Sequence, residues 1–201
     1  MSKYIQRKKT TRLFYGKFIN KIVLVTPVAG IFRGNNIQYT RKTIEYIAQR
    51  ADIFDRCFRE IEFAIKLHDI LKNEIEEFSI RVESDILSIY SNNDEFIKSI
   101  KNLSGNTVIE IHQPATDKIG QFLLNSPNTI IAPHYDFKFK VQLRSSNKEF
   151  YKWAANTPTK YKCSERSATV YVLDEKSLNL CKIFLGNNIR RIDKYILVSE
   201  I

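Results

Sequence analysis

Apolar and polar positions alternate along this chain with two different periods. Glycine and proline are absent between Gly34 and Gly105, so that interval reads as unbroken regular structure. From Thr40 to Lys72 the residues Ile44, Ile47, Ala51, Phe54, Phe58, Ile61, Ile65 and Leu71 recur at spacings near those of a helix, with Arg, Glu and Asp between them. That spacing predicts one long amphipathic helix or two consecutive ones. Phe78, Ile80 and Val82 then alternate with Ser79, Arg81 and Glu83, and a second run, Ile86 to Tyr90, follows, predicting paired strands. Asn93 or Asp94 is placed to cap a helix carrying Phe96, Ile97, Ile100 and Leu103. Ser104-Gly105-Asn106 ends that helix before a strand from Thr107 to His112.

The last third repeats the order more compactly. Phe137, Phe139, Val141 and Leu143 alternate with Lys138, Lys140, Gln142 and Arg144, a strand with one apolar and one basic face. A helix capped by Ser145 or Ser146 and burying Phe150, Trp153 and Ala154 follows. Next come runs at Lys160–Cys163 and Thr169–Leu173, a helix begun by Asp174 with Leu178, Cys181 and Ile183 inward, and a strand from Arg191 to Val198. The predicted class is α+β, with the β-α-β-β-α-β order of a ferredoxin-like unit used twice in tandem. Phe18, Lys21, Ile22 and Leu24 share the spacing F-x-x-K-[IV]-x-L with Phe137, Lys140, Val141 and Leu143, 119 residues later, which supports a duplication. The chain therefore divides into a basic N-terminal arm (1–17), a first half (18–114) with a helical insertion over about 36–75, a linker with a short helix (115–134), and a second half (135–201).

Composition bears on the setting. Of 201 residues 43% are hydrophobic, enough for a real core. No apolar run is long enough to span a bilayer, and the first residues lack a signal-type apolar segment. Cys57, Cys163 and Cys181 are odd in number and widely spaced, which suggests neither a disulfide framework nor a zinc site and points to a reducing, cytoplasmic setting without a membrane. Heavy use of Ile, Lys and Asn suits an A+T-rich genome, such as that of a phage, virus or mobile element.

The net charge of +10 is segregated. Residues 1–21 hold seven Lys or Arg and no acid, and 136–201 hold thirteen against seven acids, while the middle of the chain is slightly acidic. Such a distribution attracts polyanions. In a ferredoxin-like sheet the first and third strands lie side by side. Lys138, Lys140 and Arg144 would then share a face with Tyr171, extended by Lys160, Lys162, Arg191 and Tyr195. Basic groups for phosphates beside rings for bases suit a single strand of RNA or DNA, and the surface resembles an RNA-recognition-motif platform in layout. On the arm, Arg7, Lys8, Lys9 and Arg12 interleave with Tyr4, Phe14 and Tyr15 as an expected nucleic-acid-binding tail. The corresponding face of the first half holds Lys21, Val23 and Val25, whose valines predict coverage by the inserted helices.

Catalytic signals are thin. His68 falls on the helical stripe, as a core or boundary histidine does. His112 and His134 lie near strand ends, but no H-x-H, H-E-x-x-H or carboxylate cluster accompanies them, so no catalytic residue, metal or cofactor is assigned. Two tandem halves also resemble CRISPR RNA-processing endoribonucleases, although only Gly186 stands where that family has a glycine-rich loop. The expectation is a non-enzymatic nucleic-acid-binding protein accessory to replication or genome handling. The alternatives are an assembly protein that forms a homo-oligomer through its long helix, and a nuclease.

Overall fold

The computed structural model describes residues 5–33, 37–48 and 58–201, with the side chains of 37–39, 47–48, 58–59 and 106 outside the description. Ala51, Phe54 and Cys57 lie outside the described residues, as do the side chains of Ile47 and Phe58. The chain divides into two compact units, Met1–Gly120 and Gln121–Ile201. It is a mixed α+β protein with one five-stranded sheet in each unit. Among the described residues no helix is long and apolar enough to cross a membrane.

The first unit contains β1 (Gln6–Lys9), β2 (Asn20–Val25), α1 (Ile37–Ala48), α2 (Phe58–Asn73), β3 (Phe78–Glu83), β4 (Ile86–Ser91), α3 (Asp94–Ser104) and β5 (Val108–Gln113). The strand order is β1-β5-β2-β4-β3, antiparallel throughout except that β1 runs parallel to β5. Strand alternation turns Ile22 and Leu24 of β2 and Leu87 and Ile89 of β4 to one face. There Ile44, Ile61, Ala64, Leu67 and Leu71 of the inserted helices join Phe96, Ile97 and Ile100 of α3 in a single core.

Three expectations change here. The inserted helices cover the Ile22/Leu24 face, not the face that carries Val23 and Val25. Ile65 is 43% exposed while Ala64 and Leu67 are fully buried, because the inward stripe of α2 runs through 61, 64, 67, 68 and 71. His68 lies on that stripe and is buried, leaving the described part of the stripe committed to the unit's own core. The basic arm is also not a free tail, since Arg7, Lys8 and Lys9 belong to β1, in register with Ile111, His112 and Gln113.

The second unit contains β6 (Thr129–Ala132), β7 (Phe139–Leu143), α5 (Lys148–Ala155), β8 (Tyr161–Ser164), β9 (Thr169–Val172), α6 (Glu175–Leu185) and β10 (Ile189–Leu197). Its strand order is β6-β10-β7-β9-β8, again antiparallel except for β6, which is parallel to β10. The short helix expected in the linker is α4 (Asp117–Asn125), within which the boundary between units falls. Thr129–Ala132, read from sequence as linker, is instead an edge strand of the second sheet. Phe139, Val141 and Leu143 pack with Phe150, Val170, Val172, Leu178, Cys181 and Leu185. The cap of α5 is Asn147, whose Oδ1 accepts from the Phe150 N–H at 2.9 Å, and not Ser145 or Ser146. Trp153 and Ile183 are 37% and 81% exposed; Tyr151 and Leu185 take the inward positions assigned to them.

Both units share one helix stop. Gly105 after α3 has φ 47° and ψ −115°, and its N–H bonds to the Lys101 carbonyl; Gly186 after α6 has φ 48° and ψ −124°, and its N–H bonds to the Lys182 carbonyl. In each case an asparagine follows and a 3-10 turn leads into the last strand of the unit. A side chain there is strained whatever the space around it. Gly186→Ala and Gly105→Ala are each expected to cost about 1–2 kcal/mol, read as a lower urea midpoint with unchanged slope.

Candidate nucleic-acid interface

On the second sheet, alternation that sends Val141, Val170 and Val172 into the core sends their neighbours out. Lys162, Tyr171, Lys140 and Asp193 are successive cross-strand partners on β8, β9, β7 and β10, forming a row across the face. An adjacent row is fixed by backbone bonds. The Leu173 N–H donates to the Lys160 carbonyl, the Lys138 N–H to the Leu173 carbonyl, and the Tyr195 N–H to the Lys138 carbonyl. The register thus brings together Lys138, Lys140, Lys160, Lys162, Tyr171 and Tyr195, six of the residues selected from the sequence.

Two arginines of that set are otherwise engaged. The Arg191 Nε donates to Asp193 Oδ1 at 2.5 Å and its Nη2 to the Pro127 carbonyl at 3.3 Å, while Asp193 is 2% exposed. This pairing holds the guanidinium down on the face itself, beside the row. Arg144 lies beyond the end of β7, where its Nε donates to the Asn187 carbonyl at 3.2 Å. It stands apart from the Lys140 row.

Sequence reading missed two rings. Strand alternation assigns Phe137 to the core with Phe139, but β7 begins only at Phe139. Residues 133–138 form the connection that crosses the end of β10, freeing Phe137 from the strand's parity. Its ring lies 6.5 Å from that of Tyr171, and the Tyr135 ring lies 6.4 Å from that of Tyr195. With Lys162 and Ser164 these four rings line an open hollow of about 500 Å³, and His134 and Asp136 complete its rim. The available signal was the cluster His134-Tyr135-Asp136-Phe137 just before a basic strand.

The opposite face of the first sheet carries a second cluster. Lys8 Nζ pairs with Glu110 Oε1 at 2.6 Å, and His112 Nε2 lies 3.0 Å from Glu110 Oε2. The connection from β1 to β2 is pinned at its ends, where Thr10 Oγ1 donates to the Ile19 carbonyl at 2.7 Å. Between these ends it lays Phe14 against Tyr90 and His112, each 5.5 Å between centroids, and Tyr15 against Tyr90 at 4.9 Å. Burial first, then the hydrogen bond with the Tyr15 hydroxyl, pushes the Tyr90 phenol up to about 12. Of the arm's basic residues, Lys8 is neutralised locally, Arg7 and Lys9 are exposed on β1, and Arg12 is exposed in the connection. All four belong to the first unit.

Burial lowers the pKa of His112 below its ordinary 6.5, with Glu110 opposing. The unfolded chain therefore takes up a proton near that value while the folded chain resists it, so this contribution to stability is present above the window and is lost as pH falls through about 6.5. Glu110, held low chiefly by Lys8, loses its contribution only below its ordinary 4.5. His112→Gln is expected to flatten the rise in melting temperature between pH 5 and 7 while leaving the steeper acid limb.

Reactive groups are not assembled. Burial raises the Cys163 thiol to about 11 and the Cys181 thiol to about 12, keeping both protonated at neutral pH. His112 belongs to the first unit and His134 to the second, where His134 Nε2 lies 3.0 Å from Asp136 Oδ1 in an exposed pair. Among the described residues no group of three His, Cys, Asp or Glu side chains is placed to hold a metal ion. Compared with protein-family models, curated proteins and solved structures, the chain gives no match.

Proposed function

We propose that this is a non-enzymatic protein that binds single-stranded RNA or DNA on the outer sheet face of its second unit. The observation that carries the reading is the row Lys162–Tyr171–Lys140 beside an open hollow lined by Tyr135, Phe137 and Tyr195. Flat rings accept any base, and lysines carried on strands two spacings, about 10 Å, apart are placed to meet a phosphate backbone on either side of a base. The net charge of +10 adds attraction at a distance.

The reading includes the fold and the setting. Each unit is taken as ferredoxin-like with an added edge strand, supported by the β-α-β-β-α-β order and by the equivalent strand orders β5-β2-β4-β3 and β10-β7-β9-β8. The unpaired, protonated Cys163 and Cys181 suit a reducing cytoplasm, and handling of a replicating genome is a role that fits a small basic accessory protein.

Fluorescence anisotropy with labelled single-stranded RNA, single-stranded DNA and duplex DNA at about 50 and 200 mM salt tests the proposal. One single strand is expected to bind in preference to the duplex and to keep measurable affinity at the higher salt. Equal binding of all three that vanishes together would reduce the positive face to general attraction and move assembly through protein contacts to first place.

A further inference from the structure

The two units set a Lys–Tyr pair at the same point of the same sheet. Lys21 on β2 is the cross-strand partner of Tyr90 on β4, and Lys140 on β7 is the partner of Tyr171 on β9. β2 and β7 hold the same place in the two strand orders, as do β4 and β9. In each unit a connection from the edge strand to the first central strand passes beside the pair.

What covers the pair differs. In the first unit the connection turns at Tyr15 and Gly16, with φ 52° and 71°, a backbone region that residues other than glycine seldom adopt. The turn holds Tyr15 against Tyr90, with Lys21 Nζ 5.7 Å from the same ring. Together with the Phe14 ring, 5.5 Å away, this reduces Tyr90 to 5% exposure, while Tyr15 itself remains 57% exposed. Burial of Tyr15 is therefore not what holds that ring in place. In the second unit the connection sets the Phe137 ring 6.5 Å from that of Tyr171, centroid to centroid, and the hollow beside them stays open. The first unit covers its pair with aromatic rings, Tyr15 edge-on at 78° and Phe14 tilted at 54°, beside a lysine.

Resting on the nucleic-acid reading above, we infer that the hollow over Tyr171 takes a single nucleobase, with Lys140 and Lys162 at the flanking phosphates, and that Tyr15 fills the equivalent position in the first unit. The chain then has one open base site and one self-filled site. Stacking on Tyr171 needs the ring and not the hydroxyl, and opening the first site needs removal of the Phe14 ring, 5.5 Å from Tyr90, as well as the Tyr15 ring. Glycine suits the positive φ there, and asparagine tolerates it.

Calorimetric titration of the full chain with hexauridylate reads both parts. The wild type is expected to bind at one site, Tyr171→Ala to weaken that site about 5- to 150-fold, the range of one base–ring stack, and Tyr171→Phe to stay within about threefold of wild type. Phe14→Ala combined with Tyr15→Gly is expected to bind at two sites, and Phe14→Ala combined with Tyr15→Asn provides the same test should the glycine-bearing variant lose its thermal transition. Wild-type binding that Tyr171→Ala leaves unchanged would overturn the base site while sparing the nucleic-acid reading, whereas a wild type that binds no nucleic acid sinks the reading itself. A single site in both folded double variants would overturn the self-filling.

Discussion

Changing Lys138, Lys140 and Tyr171 to Ala together is expected to lower affinity for a single strand by about 150- to 5,000-fold at 0.1 M salt. Base stacking on one ring contributes about 1–3 kcal/mol. Each lysine that meets a phosphate adds about 0.7 to the salt slope for a single strand, equivalent to about 1 kcal/mol at that salt. The variant should therefore also show a slope shallower by about 1.4. The side chains stand on the outer face and not in the core of Phe139, Val141 and Val172, so the thermal transition should barely move. A matched control changes Lys152 and Lys176, which are exposed on α5 and α6. If that control loses affinity and slope as much as the triple variant does, the sheet face has no special part in binding.

The largest stability effect is expected at Phe150→Ala, at about 3–5 kcal/mol. Phe150 is fully buried, and its ring lies 5.3 Å from Phe184, 5.4 Å from Trp153 and 5.8 Å from Tyr161. Truncation leaves a cavity at the centre of these rings, which partial collapse cannot fill. For a unit of this size the loss is a large share of the usual 5–15 kcal/mol of total stability. Because each unit has its own core, urea unfolding of the variant should split into two transitions, with only the earlier one moved. A single transition displaced as a whole would show that the units unfold together.

How much of this was legible in the sequence depends on which physical signal each residue carries. Period-two alternation located β3 and β7, and the Asn93 and Asp174 caps located the starts of α3 and α6, because strand faces and helix ends are local properties. The likeness of the two halves was signalled by only four residues in and just before one strand of each. The stronger repeat, Gly-Asn after each second helix, passed unread because its meaning lies in a positive φ that a sequence does not display. β1 and β6 were missed for opposite reasons. The first is Gln-Arg-Lys-Lys, which has no apolar face, and the second is a four-residue run that pairs only with a strand about 65 residues away.

At the candidate site, the lysines and Tyr171 were legible because they sit within a strand of clear parity. Tyr135 and Phe137 were not, since their direction is set by a connection crossing β10. Tyr90 was assigned to a strand without notice of its face, although its pairing with Lys21 repeats that of Tyr171 with Lys140. Arg191 and Arg144 show the converse, where the right residue type on the right strand is spent on Asp193 and Asn187.

The pairing of Lys8 with His112 has a consequence for how the chain is made. During vectorial synthesis β1 leaves the ribosome roughly 100 residues before its only sheet neighbour, a wait of about 5–20 s at ordinary elongation rates. A strand that must stand alone for so long is a hazard for pairing with other nascent chains. Its composition answers that hazard: four polar or charged side chains, all exposed even in the finished sheet, keep it hydrated until β5 emerges.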